Sequence, residues 1–288
     1  MDSFFGECIK KLQAANIAMP RLEARMLWAE VLQCTPSEVY ENTPLTDAQK
    51  EQISAMLERR LSHEPMDKIL GHREFYKADF KVNTDVLSPR PDTETLVESA
   101  LNFLPLETTA KILDLGTGSG CIIISLLAER IKAHGVAVDI SPAALAVAKE
   151  NAEHLDVCNR LNFICADWFQ PDFAMLITDK FDIIVSNPPY IPSADIAGLD
   201  DEVKNYDPRT ALDGGADGYN SYRRIAELAP NLLKDGGLLI LEAGYNQAEN
   251  IRKICEENNM FHLQTVKDLA DINRCIIMKK AVAETKKI

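Results

Sequence analysis

The chain has 288 residues, 46% of them hydrophobic and 26% charged, which is typical of a soluble globular protein with two domains. Its formal net charge of −13 argues against a duplex nucleic-acid substrate, because phosphate binding normally requires a basic face. No stretch reaches the roughly 20 apolar residues of a membrane-spanning helix, and the first residues lack the order of a signal peptide. The seven cysteines form no Cys-x-x-Cys pair, and the five histidines are scattered. We therefore expect a cytoplasmic monomer with no metal, no membrane contact and no direct nucleic-acid substrate.

Residues 1–71 have the spacing of amphipathic helices. Apolar residues recur three and four positions apart, for instance between Phe4 and Leu12. Further along, Thr46 and Gln49 form the pattern of a capping box at a helix start. These features predict a small all-helical N-terminal domain. The pattern does not decide whether this domain docks the substrate or only stabilises the fold.

Residues 72–90 alternate in polarity and are rich in aromatic and β-branched side chains, which predicts a hairpin linker. In the domain formed by residues 91–288, strands and helices then alternate. Seven strands are predicted, at Lys111–Leu115, Gly135–Asp139, Leu161–Ala166, Phe181–Ser186, Leu238–Ala243, Phe261–Val266 and Arg274–Lys279. This pattern indicates an α/β fold whose mostly parallel, Rossmann-like sheet is covered by helices on both faces. Ligands of such sheets bind at the carboxyl ends of the strands, near the topological switch point.

A glycine-rich loop follows the first of these strands. In ILDLGTGSG an acid, Asp114, precedes three glycines within five residues, and glycine allows the backbone to approach a ligand closely. A dinucleotide site would have the spacing G-x-G-x-x-G, but the spacing here is G-x-G-x-G and Cys121 stands where the third glycine would fall. The acid also suits a cationic amino-acid group better than a pyrophosphate. The loop residues predicted to bind a cofactor are Asp114, Gly116, Thr117, Gly118, Ser119 and Gly120.

Acids also mark the ends of the next two strands. Asp139 is expected to accept hydrogen bonds from ribose hydroxyls, because Ser141 already caps the following helix and leaves Asp139 free. After the third strand, Asp167 is expected to bind the exocyclic amine of adenine, and Trp168 to flank the base. Contacts to an amino acid, a sugar and a base favour S-adenosylmethionine over NAD. The prediction is therefore a class I methyltransferase sheet.

The fourth strand runs directly into Asn187-Pro188-Pro189-Tyr190. Two consecutive prolines lack N–H donors and hold the backbone extended, which leaves the Asn187 side-chain oxygen and the Pro188 carbonyl as fixed acceptors. An amide or exocyclic-amine nitrogen is a poor nucleophile because its lone pair is delocalised. Two acceptors that hold its NH₂ group would aim the lone pair at the methyl group and stabilise the developing charge. Tyr190 is expected to pack on the planar acceptor group and exclude water, and no strong general base is required.

Between about Met66 and Cys275 the chain resembles the HemK/PrmC family, the peptide chain release factor glutamine N5-methyltransferases. The resemblance rests on the stretches VLSPRPDTETLVE, ILDLGTGSGCI, AVDISPAAL, ADWF, FDIIVSNPPYI and KDLADINRC. It implies S-adenosylmethionine as the cofactor, and as substrate the glutamine of the Gly-Gly-Gln motif in release factors. It also assigns Asn187 to both the cofactor and the glutamine, and residues 188–190 to the glutamine. Asp207 stands where the family usually has glutamate, which leaves its role open.

Two alternatives remain. Asn-Pro-Pro-Tyr also occurs in methyltransferases that act on adenine or other bases in DNA or RNA, but an acidic chain without a target-recognition domain suits a basic protein such as a release factor better. An inactive scaffold that only binds S-adenosylmethionine would keep the glycine loop, residues 116–120, and usually lose the acceptor loop, residues 187–190. Both loops are present in this sequence.

Overall fold

The computed structural model describes residues 3–282, so the outermost ends of the predicted domains, residues 1, 2 and 283–288, lie outside the described range. The chain divides into two compact units. One contains the chain up to His72 together with Asp200–Tyr206, and the other contains Arg73–Leu199 and the residues from Asp207 onwards. No sequence pattern predicted that Asp200–Tyr206 belongs with the helical unit.

The helices and strands follow one another much as the sequence pattern indicates. Within the described residues the helices are α1 (Phe4–Ala14), α2 (Pro20–Leu32), α3 (Asp47–Leu61), α4 (Met66–Leu70), α5 (Glu94–Leu101), α6 (Cys121–Glu129), α7 (Pro142–His154), α8 (Phe173–Leu176), α9 (Asp201–Lys204), α10 (Arg209–Leu212), α11 (Asn220–Leu232) and α12 (Ala248–Glu257). The strands are β1 (His72–Phe75), β2 (Ala78–Lys81), β3 (Lys111–Leu115), β4 (His134–Asp139), β5 (Leu161–Cys165), β6 (Phe181–Ser186), β7 (Leu233–Glu242), β8 (Met260–Lys267) and β9 (Asn273–Lys280).

The helical unit is organised around a buried tryptophan. The rings of Phe4 and Phe5 pack on Trp28, with ring centroids 5.2 and 5.0 Å away. The predicted capping box at the start of α3 is confirmed. The Gln49 backbone N–H donates to Thr46 Oγ1 over 3.3 Å, and the Thr46 backbone N–H donates to Gln49 Oε1 over 2.9 Å. Aromatic burial and helix capping therefore both stabilise this small unit.

A buried arginine ties α9 to the other helices of this unit. Arg60 Nε donates to Glu23 Oε2 over 2.6 Å, and Arg60 Nη1 lies 2.8 Å from Glu202 Oε1. The Tyr206 hydroxyl also donates to the Ser62 carbonyl over 3.0 Å. These contacts explain why Asp200–Tyr206 is assigned to the helical unit although it lies far along the chain.

The second unit contains the predicted sheet of seven strands, in the order β5-β4-β3-β6-β7-β9-β8. The pairs from β5 to β7 are parallel, and β9 pairs antiparallel with both β7 and β8. The mostly parallel, seven-stranded sheet is thus confirmed. Strand β3 has β4 on one side and β6 on the other, so the strand order reverses at β3. The loops that follow β3 and β6 therefore leave the sheet side by side, where α/β sheets bind their ligands.

Strand β7 begins five residues earlier than predicted. β7 starts at Leu233 rather than Leu238, because Leu233 pairs with Phe181 across a register shift in the ladder. The Gly236-Gly237 pair in between resembles a turn in the sequence, and Gly236 does adopt a φ of +76°. In the part of the chain that the structure describes, we found no helix with the length and apolar character needed to cross a bilayer.

Candidate active site

A cavity of about 610 Å³ lies at the carboxyl ends of the parallel strands. Residues that follow β3, β4, β5 and β6 all contribute to its wall. The predicted site residues among them are Gly116, Gly118, Asp139, Asp167, Trp168, Asn187 and Pro189. The fold therefore brings together residues from four strand ends, as the switch-point argument requires.

Asp114 lies beneath the glycine loop rather than in the cavity wall. It is fully buried, and its Oδ2 accepts a hydrogen bond from Thr117 Oγ1 over 2.7 Å. Burial raises the pKa of Asp114 to about 7; the Thr117 hydrogen bond opposes this shift and the charge of Asp139 adds to it. Its Oδ1 has no hydrogen-bond partner among the described residues. Asp114 thus fixes the loop, and its contact with a cationic group remains a prediction.

The loop has backbone geometry that requires glycine. Gly116, Gly118 and Gly120 all have positive φ, at +76°, +54° and +81°. A Cβ on Gly116 would lie 3.1 Å from Trp168 Cη2, and a Cβ on Gly120 would lie 2.6 Å from Ile124 Cδ1. The spacing G-x-G-x-G therefore combines left-handed backbone with close packing against the third strand end and the start of α6.

Asp139 is not free of local contacts, contrary to expectation. Its Oδ2 accepts from the Gly118 amide and its Oδ1 from the Ser141 amide, both over 2.9 Å. Ser141 does cap α7, because its Oγ accepts from the Ala144 amide over 3.1 Å. Burial raises the pKa of Asp139, and the backbone hydrogen bonds oppose that shift. Asp139 therefore joins the glycine loop to the residue that caps α7. Each of its carboxylate oxygens still has a second lone pair that can accept a hydrogen bond from a ligand.

The third strand end is built in a similar way. Asp167 accepts from the Phe169 amide over 2.8 Å and from Gln170 Nε2 over 3.1 Å. Trp168 is 9% exposed and belongs to a core cluster of the sheet, yet it also lines the cavity. Its carbonyl accepts a hydrogen bond from Arg224 Nε over 2.7 Å. Core packing and a position in the cavity wall are therefore compatible for this ring.

In the acceptor loop, Asn187 and Pro189 line the cavity. Pro188 is buried and Tyr190 half-buried, and neither is among the residues described as lining it. Asn187 Nδ2 donates to Thr93 Oγ1 over 3.2 Å. Burial raises the pKa of the Tyr190 phenol to about 12, and the charge of Glu242 adds to this shift. Tyr190 is therefore a neutral group at physiological pH.

Three residues near this loop were not predicted from the sequence. Thr93 and Glu242 are both buried, and the side chains of Thr93 and Asn187 favour the charged form of the Glu242 carboxylate. Gln247 Nε2 donates to the Tyr190 carbonyl over 3.0 Å. Thr93 lies in the Pro-Arg-Pro-Asp-Thr-Glu stretch, which is part of the family resemblance.

Comparisons with known proteins agree with this architecture. The family described as PrmC N-terminal domain matches residues 5–71, and a methyltransferase domain family matches residues 106–287. The chain is 42% identical to the release factor glutamine methyltransferase of Rhodospirillum rubrum, over 95% of this chain and 83% of that protein. It is 39% identical to the protein of the same name from Caulobacter vibrioides, over 96% and 94%. A methyltransferase structure from Pyrococcus furiosus shares the fold, with a TM-score of 0.54 at 16% identity, over 80% of this chain and all of that one.

Proposed function

The chain belongs to the family of release factor glutamine methyltransferases, and we propose that it methylates the side-chain amide nitrogen of the glutamine in the Gly-Gly-Gln motif of release factors. S-adenosylmethionine is the cofactor of this family of enzymes. Release factors act at the ribosome, so we place the reaction in the cytoplasm. A protein substrate also fits the net charge of −13 better than a nucleic acid does.

The residues at the strand ends fit the cofactor. Asp114 has a buried carboxylate oxygen without a partner in the described chain, and a nearby ammonium group would stabilise its charge. Asp139 and Asp167 keep acceptor capacity for the ribose hydroxyls and the adenine amine, and Trp168 presents an apolar face for the base. When bound, S-adenosylmethionine supplies an electrophilic methyl group on a sulfonium sulfur.

In the proposed mechanism, the protein contributes orientation and electrostatics. Asn187 Oδ1 and the Pro188 carbonyl each accept one N–H of the glutamine amide, which turns the nitrogen lone pair out of conjugation and towards the methyl group. The same two acceptors stabilise positive charge on the nitrogen as the new bond forms. The nitrogen proton becomes acidic only at that stage, so no strong general base is required. Tyr190 stays neutral and excludes water from the planar amide.

The observation that carries this proposal is the position of Asn187 at the switch point. It lines the same cavity as Gly116, which follows the neighbouring strand β3, and Asp139, which ends β4 on the other side of β3. The Asn187 side chain therefore lies where a cofactor held by the glycine loop would react.

The test uses the whole chain, a purified bacterial release factor and S-adenosylmethionine, with mass spectrometry of the peptide that contains Gly-Gly-Gln. We expect a gain of one methyl group on the glutamine, and none on a release factor whose motif glutamine is replaced by alanine. Adenine-containing DNA and RNA form parallel samples. Methylation of nucleic acid without methylation of the release factor would show that the proposed substrate is wrong.

The role of Asn187 is tested separately with Asn187→Ala. We expect kcat to fall by about 100-fold or more, because one of two acceptors for the developing charge is lost. Cofactor affinity, measured by calorimetry, should fall only modestly, since the other strand ends still hold the ligand. Unchanged turnover in this variant would exclude the role assigned to Asn187.

A further inference from the structure

Behind the Asn187 side chain lies a buried polar pair. Thr93 ends the 3₁₀ turn Pro91–Thr93, Glu242 ends β7, and both are only 2% exposed. Asn187 Nδ2 donates to Thr93 Oγ1 over 3.2 Å. The Glu242 carboxylate faces the side chains of both Thr93 and Asn187, which favour its charged form, and its buried Oε2 has no hydrogen-bond partner among the described residues. These three side chains form one buried polar cluster between the acceptor loop and the interior.

The direction of these hydrogen bonds follows from the chemistry of the three groups. An ionised carboxylate has only acceptor sites, so both partners of Glu242 must donate to it. The single hydroxyl proton of Thr93 is then used on Glu242, and its oxygen can only accept from Asn187. Both protons of the Asn187 NH₂ group are thereby directed inward. Its oxygen is left for the cavity.

This direction matters because an amide oxygen and an amide NH₂ group have nearly the same size. Packing alone does not decide which of the two faces the cavity, whereas hydrogen-bond partners do. A flipped Asn187 would present its NH₂ group to the substrate NH₂ group, donor against donor. It would then accept no N–H and stabilise no positive charge.

We propose that Thr93 and Glu242 are positioning residues of the methyl-transfer reaction, which orient the Asn187 amide so that its oxygen receives an N–H of the substrate. This inference rests on the function proposed above for Asn187. It also gives a purpose to the Pro-Arg-Pro-Asp-Thr-Glu stretch, which supplies Thr93 from the turn before α5.

The orientation of the Asn187 amide depends on pH through the protonation state of Glu242. Burial raises the pKa of Glu242 to about 7, although hydrogen bonding from Thr93 and the charge of Arg274 oppose the shift. A protonated Glu242 gains a donor, so the chain of hydrogen bonds is free to reverse and Asn187 to flip. Turnover should therefore decline as the pH falls through about 7.

The other groups that face Glu242 do not account for such a decline. The titratable and charged groups around it are Asp92, Cys121, Tyr190, Tyr222, Arg274 and Cys275. The pKa values of Tyr190 and of both cysteines are raised to about 12 by burial, and the pKa of Arg274 is raised as well. Burial also raises the pKa of Asp114 to about 7. The Glu242→Gln variant keeps Asp114. A decline in turnover that persists in this variant therefore comes from Asp114, and one that disappears comes from Glu242.

The kinetic test compares two substitutions at Thr93. Thr93→Val keeps the shape and removes the hydroxyl, and we expect kcat to fall about 10-fold with the KM for S-adenosylmethionine within about twofold. Thr93→Ser restores the hydroxyl and should recover most of kcat. The matched control is Ser99→Ala, which removes another buried hydroxyl, on α5. Wild-type kcat in Thr93→Val, or an equal loss in Thr93→Ser, would overturn the proposal.

A second test does not depend on methyl transfer. In the full chain labelled with ¹⁵N-asparagine, the side-chain NH₂ signals of Asn187 are identified by their loss in Asn187→Ala. We expect them to shift with a midpoint near pH 7 in the wild type and to stay constant in Glu242→Gln. Constant wild-type signals between about pH 5 and 9 would contradict the proposal. If the enzyme fails to methylate release factors, the proposed function is wrong, and this titration still decides how Asn187 is oriented.

Discussion

The acceptor loop is held at its far end by backbone packing that leaves no room for a side chain at Gly214. A Cβ added there would lie 2.8 Å from both the carbonyl carbon and the Cα of Tyr190, and 2.9 Å from the Gly218 Cα. The Gly214 amide donates to the Ile191 carbonyl over 2.8 Å, so Gly214 itself is also fixed. Since carbon atoms pack at about 3.5–4.0 Å, Gly214→Ala must displace the Tyr190 backbone by about 0.7 Å or more.

A displacement of this size has two measurable effects. Overpacking of a well-packed site costs about 1–3 kcal/mol of stability, which thermal unfolding will show. A misplacement approaching 1 Å in a reacting group costs about 100-fold in rate, so we expect kcat on the release factor to fall by about 10- to 100-fold. Calorimetric affinity for S-adenosylmethionine should stay within about threefold, because the glycine loop after β3 is not touched.

Gly198→Ala is the matched control. Gly198 lies in the same long loop, but a Cβ there would meet no atom within 4 Å. This variant should keep wild-type kcat and stability. If Gly214→Ala also turns over at the wild-type rate, or if both variants lose activity equally, steric control of the acceptor loop is refuted.

Two further predictions concern buried charges. Arg60→Ala leaves Glu23 and Glu202 without their buried partner and should lower the free energy of unfolding by about 3 kcal/mol, whereas loss of the exposed Lys11–Glu58 pair in Lys11→Ala should cost less than about 1 kcal/mol. Equal losses in chemical denaturation would contradict this contrast. Burial raises the pKa of Glu242 to about 7 from its usual 4.5. The buried charge therefore lowers the free energy of unfolding by its full amount above pH 7, and this loss disappears as the pH falls towards 4.5. The stability of Glu242→Gln relative to wild type should thus rise by about 2–3 kcal/mol from pH 5 to pH 8, and a pH-independent difference would rule out the buried charge.

The sequence predicted those parts of the molecule that depend on short-range patterns. The strand β3, the glycines that follow it and Asp114 lie within ten residues, so apolar periodicity and backbone requirements are enough to identify them. The ends of β4, β5 and β6 follow the same rule, since each is a short apolar strand that runs into a polar loop. Because these strands run parallel, their carboxyl ends are predicted to meet at one edge of the sheet.

Features that depend on distant partners were not predictable. Asn187 bonds Thr93 from 94 positions away, and Arg60 bonds Glu23 from 37 positions away. No periodicity relates such residues, because their pairing depends on how helices and loops pack after the sheet has formed. The local contacts of Asp139 were missed for a related reason, since capping by Ser141 does not exclude a second role for the neighbouring carboxylate.

Two buried carboxylates whose pKa values are raised to about 7 lie on either side of the acceptor loop in the sheet, Asp114 at the end of β3 and Glu242 at the end of β7. A chain selected for stability alone would replace such groups with apolar side chains, because burying each charge costs free energy. Perturbed carboxylates of this kind concentrate at functional sites. At Glu242 the reason is specific, since an acceptor-only group is what forces the direction of two hydrogen bonds, and a neutral amide at the same place would permit both directions. The stability lost to a buried charge is thus the physical requirement for keeping one orientation of Asn187.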